Sequence, residues 1–184
     1  MTFRLSKKIM LFLAIAALGS AGFVYYIFKP QTSIDDYSVP RDKKFILSLF
    51  DSDWYWLSGY GRDEVHTDLF LEKMSPTGEP RYAGKLIIKV MHVDKQPVGF
   101  VAYYMKTTYE GIVLFIDVAH SLRQKKYGKA LLEYAVEALA KQGAGVVRLV
   151  TRVENIPAQK LYKSVGFREY LRDTTYVFFE KRIR

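Results

Sequence analysis

Apolar and polar positions follow two different periods along the second half of the chain. Residues 85–93 (KLIIKVMHV), 98–105 (VGFVAYYM) and 112–118 (IVLFIDV) are rich in β-branched and aromatic residues, and the first of them alternates; they predict three strands. The breaks between them, Asp94-Lys95-Gln96 and residues 107–111, are short, so the three strands form an antiparallel meander. The period then lengthens. Leu131, Leu132, Ala135, Ala138 and Leu139 fall on one face of a helix over residues 129–142, and Gly143 follows as a stop. Residues 146–150 (VVRLV) predict a short strand. Residues 156–165 predict a second helix, with Asn155 before it and Gly166 after it, and residues 176–181 (YVFFEK) a last strand. Upstream, residues 43–50 (KKFILSLF) have helical spacing, with Asp42 as the candidate cap. From there to about Gly84 the chain holds Trp54, Tyr55, Trp56 and several turn signals without a clear period. The pattern predicts an α/β (α+β) domain: a mixed central sheet made from a meander followed by α-β-α-β, with helices packed on it.

The N-terminal pattern is of another kind. Residues 9–28 (IMLFLAIAALGSAGFVYYIF) carry no charge. As a helix they would extend about 30 Å, enough to cross a bilayer core, and Tyr25 and Tyr26 suit an interfacial belt. A cleaved leader is the rival, with Gly19-Ser20-Ala21 as small residues, but the apolar run continues to Phe28. We expect residues 1–30 to be a single-pass anchor with a transmembrane helix at 9–28. Residues 31–42, polar and with Pro40, read as a linker, leaving 43–184 as the domain. Basic residues flank the run on both sides, so charge alone leaves its orientation open.

The net charge is +9, distributed unevenly. Residues 122–184 hold 14 basic against 6 acidic side chains, whereas residues 31–121 hold 10 against 13. The basic third reads either as a solvated surface or as a face for a phosphorylated ligand. The chain has no cysteine, which excludes disulfides, Cys-zinc sites and thiol nucleophiles. His66, His92 and His120 lack metal-ligand spacing, so no metal is expected. No specific nucleic-acid partner is expected, and the oligomeric state stays open.

Residues 118–132 (VAHSLRQKKYGKALL) run from a strand end through a basic loop into a helix. A helix start presents unpaired N–H groups and the positive end of a dipole, a ready site for a diphosphate. Arg123, Lys125, Lys126 and Lys129 add charge, and Gly128 allows close approach. This stretch resembles the coenzyme A pyrophosphate loop of the GNAT acetyltransferase superfamily, Arg/Gln-x-x-Gly-x-Gly/Ala. Arg123 matches the first position and Gly128 the last, while Lys126 replaces the middle glycine. Downstream, Asn155, Ala158, Leu161, Tyr162, Gly166 and Phe167 match the family's Asn-x-x-Ala-x-x-Leu-Tyr-x-x-x-Gly-Phe. The resemblance covers roughly residues 85–182.

The resemblance implies a GNAT-like acyl-CoA N-acyltransferase fold and acetyl transfer from acetyl-CoA to a primary amine in a ternary complex. It places the cofactor arm along the strand ending at Val118, the pyrophosphate on the amides of Gln124, Lys125, Lys126, Tyr127, Gly128, Lys129 and Ala130, and Asn155 on the cofactor arm. It makes Tyr162 the acid for the leaving thiolate. Tyr162 read without the motif is an amphipathic core residue. Asp117 is the candidate base by position, or equally a structural acceptor; Glu110 and His120 are weaker candidates. Backbone N–H groups near Val118 would polarise the thioester carbonyl. The net acidic residues 31–121 point to a cationic acceptor. A cytosolic donor implies a domain facing the cytoplasm. The alternative is a non-catalytic CoA-binding or membrane-tethered module on the same fold, kept open by Lys126, and other acyl donors also fit.

Overall fold

A computed structural model describes residues 30–58, 67–73 and 85–183. The described strands are β1 (Thr32–Asp36), β2 (Ile87–Val93), β3 (Gln96–Met105), β4 (Glu110–Val118), β5 (Val146–Arg152), β6 (Arg168–Arg172) and β7 (Tyr176–Arg182). The helices are α1 (Val39–Leu57), α2 (Thr67–Leu71), α3 (Tyr127–Lys141) and α4 (Ile156–Ser164), with a 3₁₀ turn at His120–Leu122.

The strands form one sheet in the order β1-β2-β3-β4-β5-β7-β6. All neighbours are antiparallel except β4 and β5. Side chains on β3 show how the sheet divides the core. Val101 and Tyr103 join a cluster with Leu131, Leu132, Ala135 and Leu139 of α3. Phe100 and Ala102, one step out of phase, join Ile46, Leu49 and Phe50 of α1 and Phe70 of α2. The period-2 alternation therefore puts α3 and α4 on one face of the sheet and α1 and α2 on the other. The α3 helix forms because its buried residues repeat at helical spacing, and Gly143, with φ +99°, turns the chain away after it. The β2–β3 turn uses Asp94 and Lys95, both at positive φ, the backbone of a tight two-residue hairpin.

The expected meander and α-β-α-β order are present, and three elements add to them: β1, β6 and α2. β6 (REYLR) is exposed at every position and so lacks alternation. β1 overturns the linker at 31–42. It pairs with β2 along its whole length, and α1 starts at Val39, with Asp42 inside its first turn rather than capping it. Asp42 is fully buried and accepts hydrogen bonds from the Ser38 amide at 2.9 Å and Arg41 Nε at 2.8 Å. His92 lies between Asp42 and Asp35, 3.0 and 3.1 Å from their carboxylates, and so ties β1, α1 and β2 together. The folded unit thus begins before residue 43.

The membrane expectation is also corrected. Among the described residues no helix is long and apolar enough to cross a membrane. The longest, α1 at 19 residues, carries Arg41, Asp42, Lys43, Lys44, Asp51 and Asp53, charges that a bilayer core would expel. The run 9–28 that carried the expectation of a single-pass anchor lies outside the described residues. The membrane location, the membrane partner and the cytoplasm-facing orientation are therefore withdrawn.

Candidate active site

The site originates in a failure of two strands to stay paired. β4 and β5 are hydrogen-bonded only where Glu110, Gly111 and Ile112 meet Val146, Val147 and Arg148. Arg148 clamps this closed end, reaching Glu110 at 3.1 Å and Glu180 at 3.2 Å. Beyond it β4 runs on to Val118 beside β3, and β5 runs on to Arg152 beside β7. Leu114 is a bulge in β4, lying between Val113 and Phe115, which pair with Tyr103 and Ala102. A bulge bends its strand, here in the stretch where β4 leaves β5. The splay opens a cleft of about 1310 Å³ through the sheet, with strand edges on both sides.

At one mouth of the cleft the chain turns into α3. Gln124 and Lys126 take left-handed backbone conformations, φ 65° and 66°, and no side chain caps the helix at Lys126. The amides of the first turn of α3 have no intrahelical acceptor, and the helix dipole is positive there. Gln124, Lys126, Tyr127, Gly128 and Lys129 line the cleft, together with Val118. Lys125 and Ala130 are exposed and do not line it. Gly128 has a packing duty as well, since a Cβ there would come within 3.3 Å of Leu161 on α4.

Arg123 faces inward. It donates from Nη2 to Asp117 Oδ1 at 3.0 Å and to Asp53 at 2.9 Å, and from Nε to the Val118 carbonyl at 3.0 Å. Asp117 Oδ1 also accepts the Val118 amide at 2.8 Å, whereas Oδ2 is buried without a hydrogen-bond partner. Burial pushes the Asp117 carboxyl up to about 6; Asp53 adds to the rise and Arg123 opposes it. Asp53 reaches the site because α1 kinks at that residue, φ −116° and ψ 22°. His120 lies beside Arg123, Nδ1 3.2 Å from Nη1. Glu110 belongs to the closed end and does not line the cleft.

On the α4 side stands Tyr162, 5 % exposed, stacked edge-on against Phe179 at 5.6 Å. Burial pushes its hydroxyl up to about 12, and a hydrogen bond with Thr151 opposes the rise. Asn155 caps α4, its Oδ1 accepting the Ala158 amide at 3.2 Å. Both residues line the cleft with Asp117.

Arg123, Lys126 and Gly128 of the first motif and Asn155, Ala158, Leu161 and Tyr162 of the second thus meet at one cleft, while Gly166 turns the chain after α4 and Phe167 packs in the core. A model of the Acetyltransferase (GNAT) family matches residues 43–167. The chain belongs to this family. Solved structures with the same fold include Ard1 from Thermoplasma volcanium, 21% identical, covering 83% of this chain and 98% of that one with a TM-score of 0.65. They also include the PaiA N-acetyltransferase from Thermoplasma acidophilum in complex with coenzyme A, 20% identical, covering 83% and 99% with a TM-score of 0.64. A domain from Methanocaldococcus jannaschii is 14% identical, covering 84% and 100% with a TM-score of 0.67. No curated protein matches the chain. Among the described residues no group of three His, Cys, Asp or Glu side chains is placed to hold a metal.

Sequence reasoning did not single out Asp53, Thr151 or Arg152. Asp53 had a signal: it falls seven residues after Ile46 on the stripe of Leu49 and Phe50, an acid on a core-facing position. Arg152 had none, because its guanidinium donates to the Tyr55 and Ser58 carbonyls, 97 and 94 residues away in sequence.

Proposed function

We propose that this GNAT-family chain is an N-acetyltransferase that moves an acetyl group from acetyl-CoA directly to a primary amine. The observation that carries the reading is the position of Asp117 and Tyr162 in a cleft that also receives the bare start of α3. The pyrophosphate fits that helix start, with Lys126 and Lys129 adding charge. The bound coenzyme A of the PaiA N-acetyltransferase, a fold neighbour, supports a CoA thioester as donor. The free edge of β4 near Val118 suits the extended pantetheine arm and offers N–H groups to the thioester carbonyl. Direct transfer agrees with a chain that has no cysteine to carry the acyl group.

In the reaction a C–N bond forms as the C–S bond breaks. The amine attacks as the free base after its ammonium proton has passed to solvent. Its nitrogen becomes strongly acidic as it acquires the acyl group, and Asp117, ionised above about pH 6, takes the second proton. Tyr162, held protonated by burial, gives its proton to the departing sulfur. Lys126 does not favour the non-catalytic alternative, because its backbone takes the left-handed conformation open to glycine and its side chain is exposed.

The test is CoA release from acetyl-CoA against a panel of primary amines, for the wild type and Tyr162→Phe. The variant is expected to bind acetyl-CoA normally and to lose about 10²-fold or more in kcat. Turnover within about twofold of wild type would remove Tyr162 from the acid role. Donor binding without turnover on any amine would favour the non-catalytic module.

A further inference from the structure

The cleft passes through the sheet, and its two ends differ in chemistry. Val118, Tyr162 and the start of α3 belong to the face covered by α3 and α4. Asp117 points the other way, into the face covered by α1, where Arg123 joins it to Asp53. We propose that the acceptor enters from the α1 face and is a monocationic amine carried on an apolar, preferentially aromatic, body. This rests on the N-acetyltransferase reading and narrows its substrate class.

Charge fixes the number of ammonium groups. Asp53 and Asp117, each with a side chain 10% exposed, share the single guanidinium of Arg123, so the trio carries one net negative charge. The buried Oδ2 of Asp117, without a hydrogen-bond partner, leaves one strong acceptor for one N–H donor. Among the described residues a second ammonium finds no such partner. Glu154, the other carboxylate lining the cleft among the described residues, accepts the Tyr55 hydroxyl at 2.6 Å and lies two residues from the cationic Arg152. Arg152 stands beside it, 4.1 Å over the Tyr55 ring and held by backbone carbonyls, without a carboxylate in ion-pairing distance among the described residues. Its charge repels further cations.

The walls define the body of the molecule. Trp56, Phe115, Tyr176 and Phe178 line this cleft. On β5 and β7 the positions facing α3 and α4, such as Leu149 and Phe179, are buried in the core. The alternate positions face the other way and are more open: Val150 is 46% exposed, and Trp56 of α1 is 42% exposed. A flat apolar group would cover them, whereas a small or polar amine would leave them wet.

The test is calorimetric titration of the protein saturated with CoA, using phenethylamine, propylamine and spermidine at one ionic strength, with CoA release from acetyl-CoA measured alongside. Phenethylamine is expected to bind at least about tenfold tighter than propylamine and spermidine, one tenfold step being a modest gain for a buried ring. Trp56→Ala and Phe178→Ala, on partly exposed positions, are expected to pull the phenethylamine-to-propylamine ratio toward one. Asp117→Asn is expected to weaken both. Spermidine binding tightest, an unchanged ratio in both aromatic variants, or no binding by any amine would each overturn the proposal. Phenethylamine binding with the expected preference but without CoA release would leave the acceptor site standing and remove the acetyltransferase reading instead.

Discussion

Asp117 combines two properties that suit the base proposed for it: a raised carboxyl and one oxygen without a partner. The first predicts the pH profile. With Asp117 as base, kcat/KM rises with pH through about 6 and levels off above it, and Asp117→Asn removes that limb. The second consequence concerns stability, and its sign is opposite to that of a salt-bridged carboxylate. The folded value lies above the ordinary 3.8, so between about pH 4 and 6 the folded state holds a proton that the unfolded chain has released. Stability then falls as pH rises through that window, by on the order of 3 kcal/mol. Thermal unfolding of wild type against Asp117→Asn from pH 4 to 7 checks it. The wild type is expected to lose ground to the variant on the way up, and parallel curves would remove the perturbed carboxyl.

Two elements set the shape of the cleft, the bulged strand β4 and the loop into α3. β4 approaches β3 so closely at its end that a Cβ on Gly99 would sit 2.6 Å from the Asp117 carbonyl oxygen and 2.9 Å from Val118 Cγ2. Gly99→Ala is therefore expected to destabilise the fold by about 1–3 kcal/mol, the range for an overpacked core. It is also expected to lower kcat by shifting the strand that holds Asp117, measurable by thermal unfolding together with CoA release. In the loop the strain is local. A lysine held left-handed is disfavoured by about 1 kcal/mol, partly offset on replacement by the greater freedom of an unfolded glycine. Lys126→Gly is expected to raise Tm by about 1–2 °C and to keep the course of the loop. A fall in Tm would mean that the Lys126 side chain contributes more to the fold than its exposure suggests.

At the scale of the whole molecule the charge is divided by function. Lys126 and Lys129 stand on the cleft wall at the start of α3, where the pyrophosphate is proposed to sit, while the proposed acceptor end holds the Asp53–Arg123–Asp117 trio. Donor affinity should then carry the signature of a partly screened charge interaction. Acetyl-CoA binding is expected to weaken as salt is raised from about 0.05 to 0.5 M, where the screening length shrinks to a few ångströms. Lys129→Ala, which removes a cation from the cleft wall, weakens it further at low salt and less at high salt. Binding that ignores salt would place the pyrophosphate elsewhere.

Much of the fold was legible because it is written in local periods. The stripe of α3, the alternation of β2, the turn residues Asp94 and Lys95 and the stop at Gly143 act over a few residues, and a linear chain displays them. The candidate donor residues were legible for a related reason: the loop and α4 are continuous stretches, so spacing survives in sequence. What only the tertiary structure decided depends on partners far apart. β1 and β6 have no stripe of their own and exist because β2 and β7 offer free edges to pair with. The splay of β4 from β5 is a matter of which backbone groups stop pairing, which leaves no mark on side-chain type. Asp53 falls on the core-facing stripe of α1, but its partner is invisible in sequence: the kink in α1 sets it against Arg123, some 70 residues later in the chain. Burial raises the Asp117 carboxyl most, and the nearby charge of Asp53, which only this long-range contact brings there, adds to the rise.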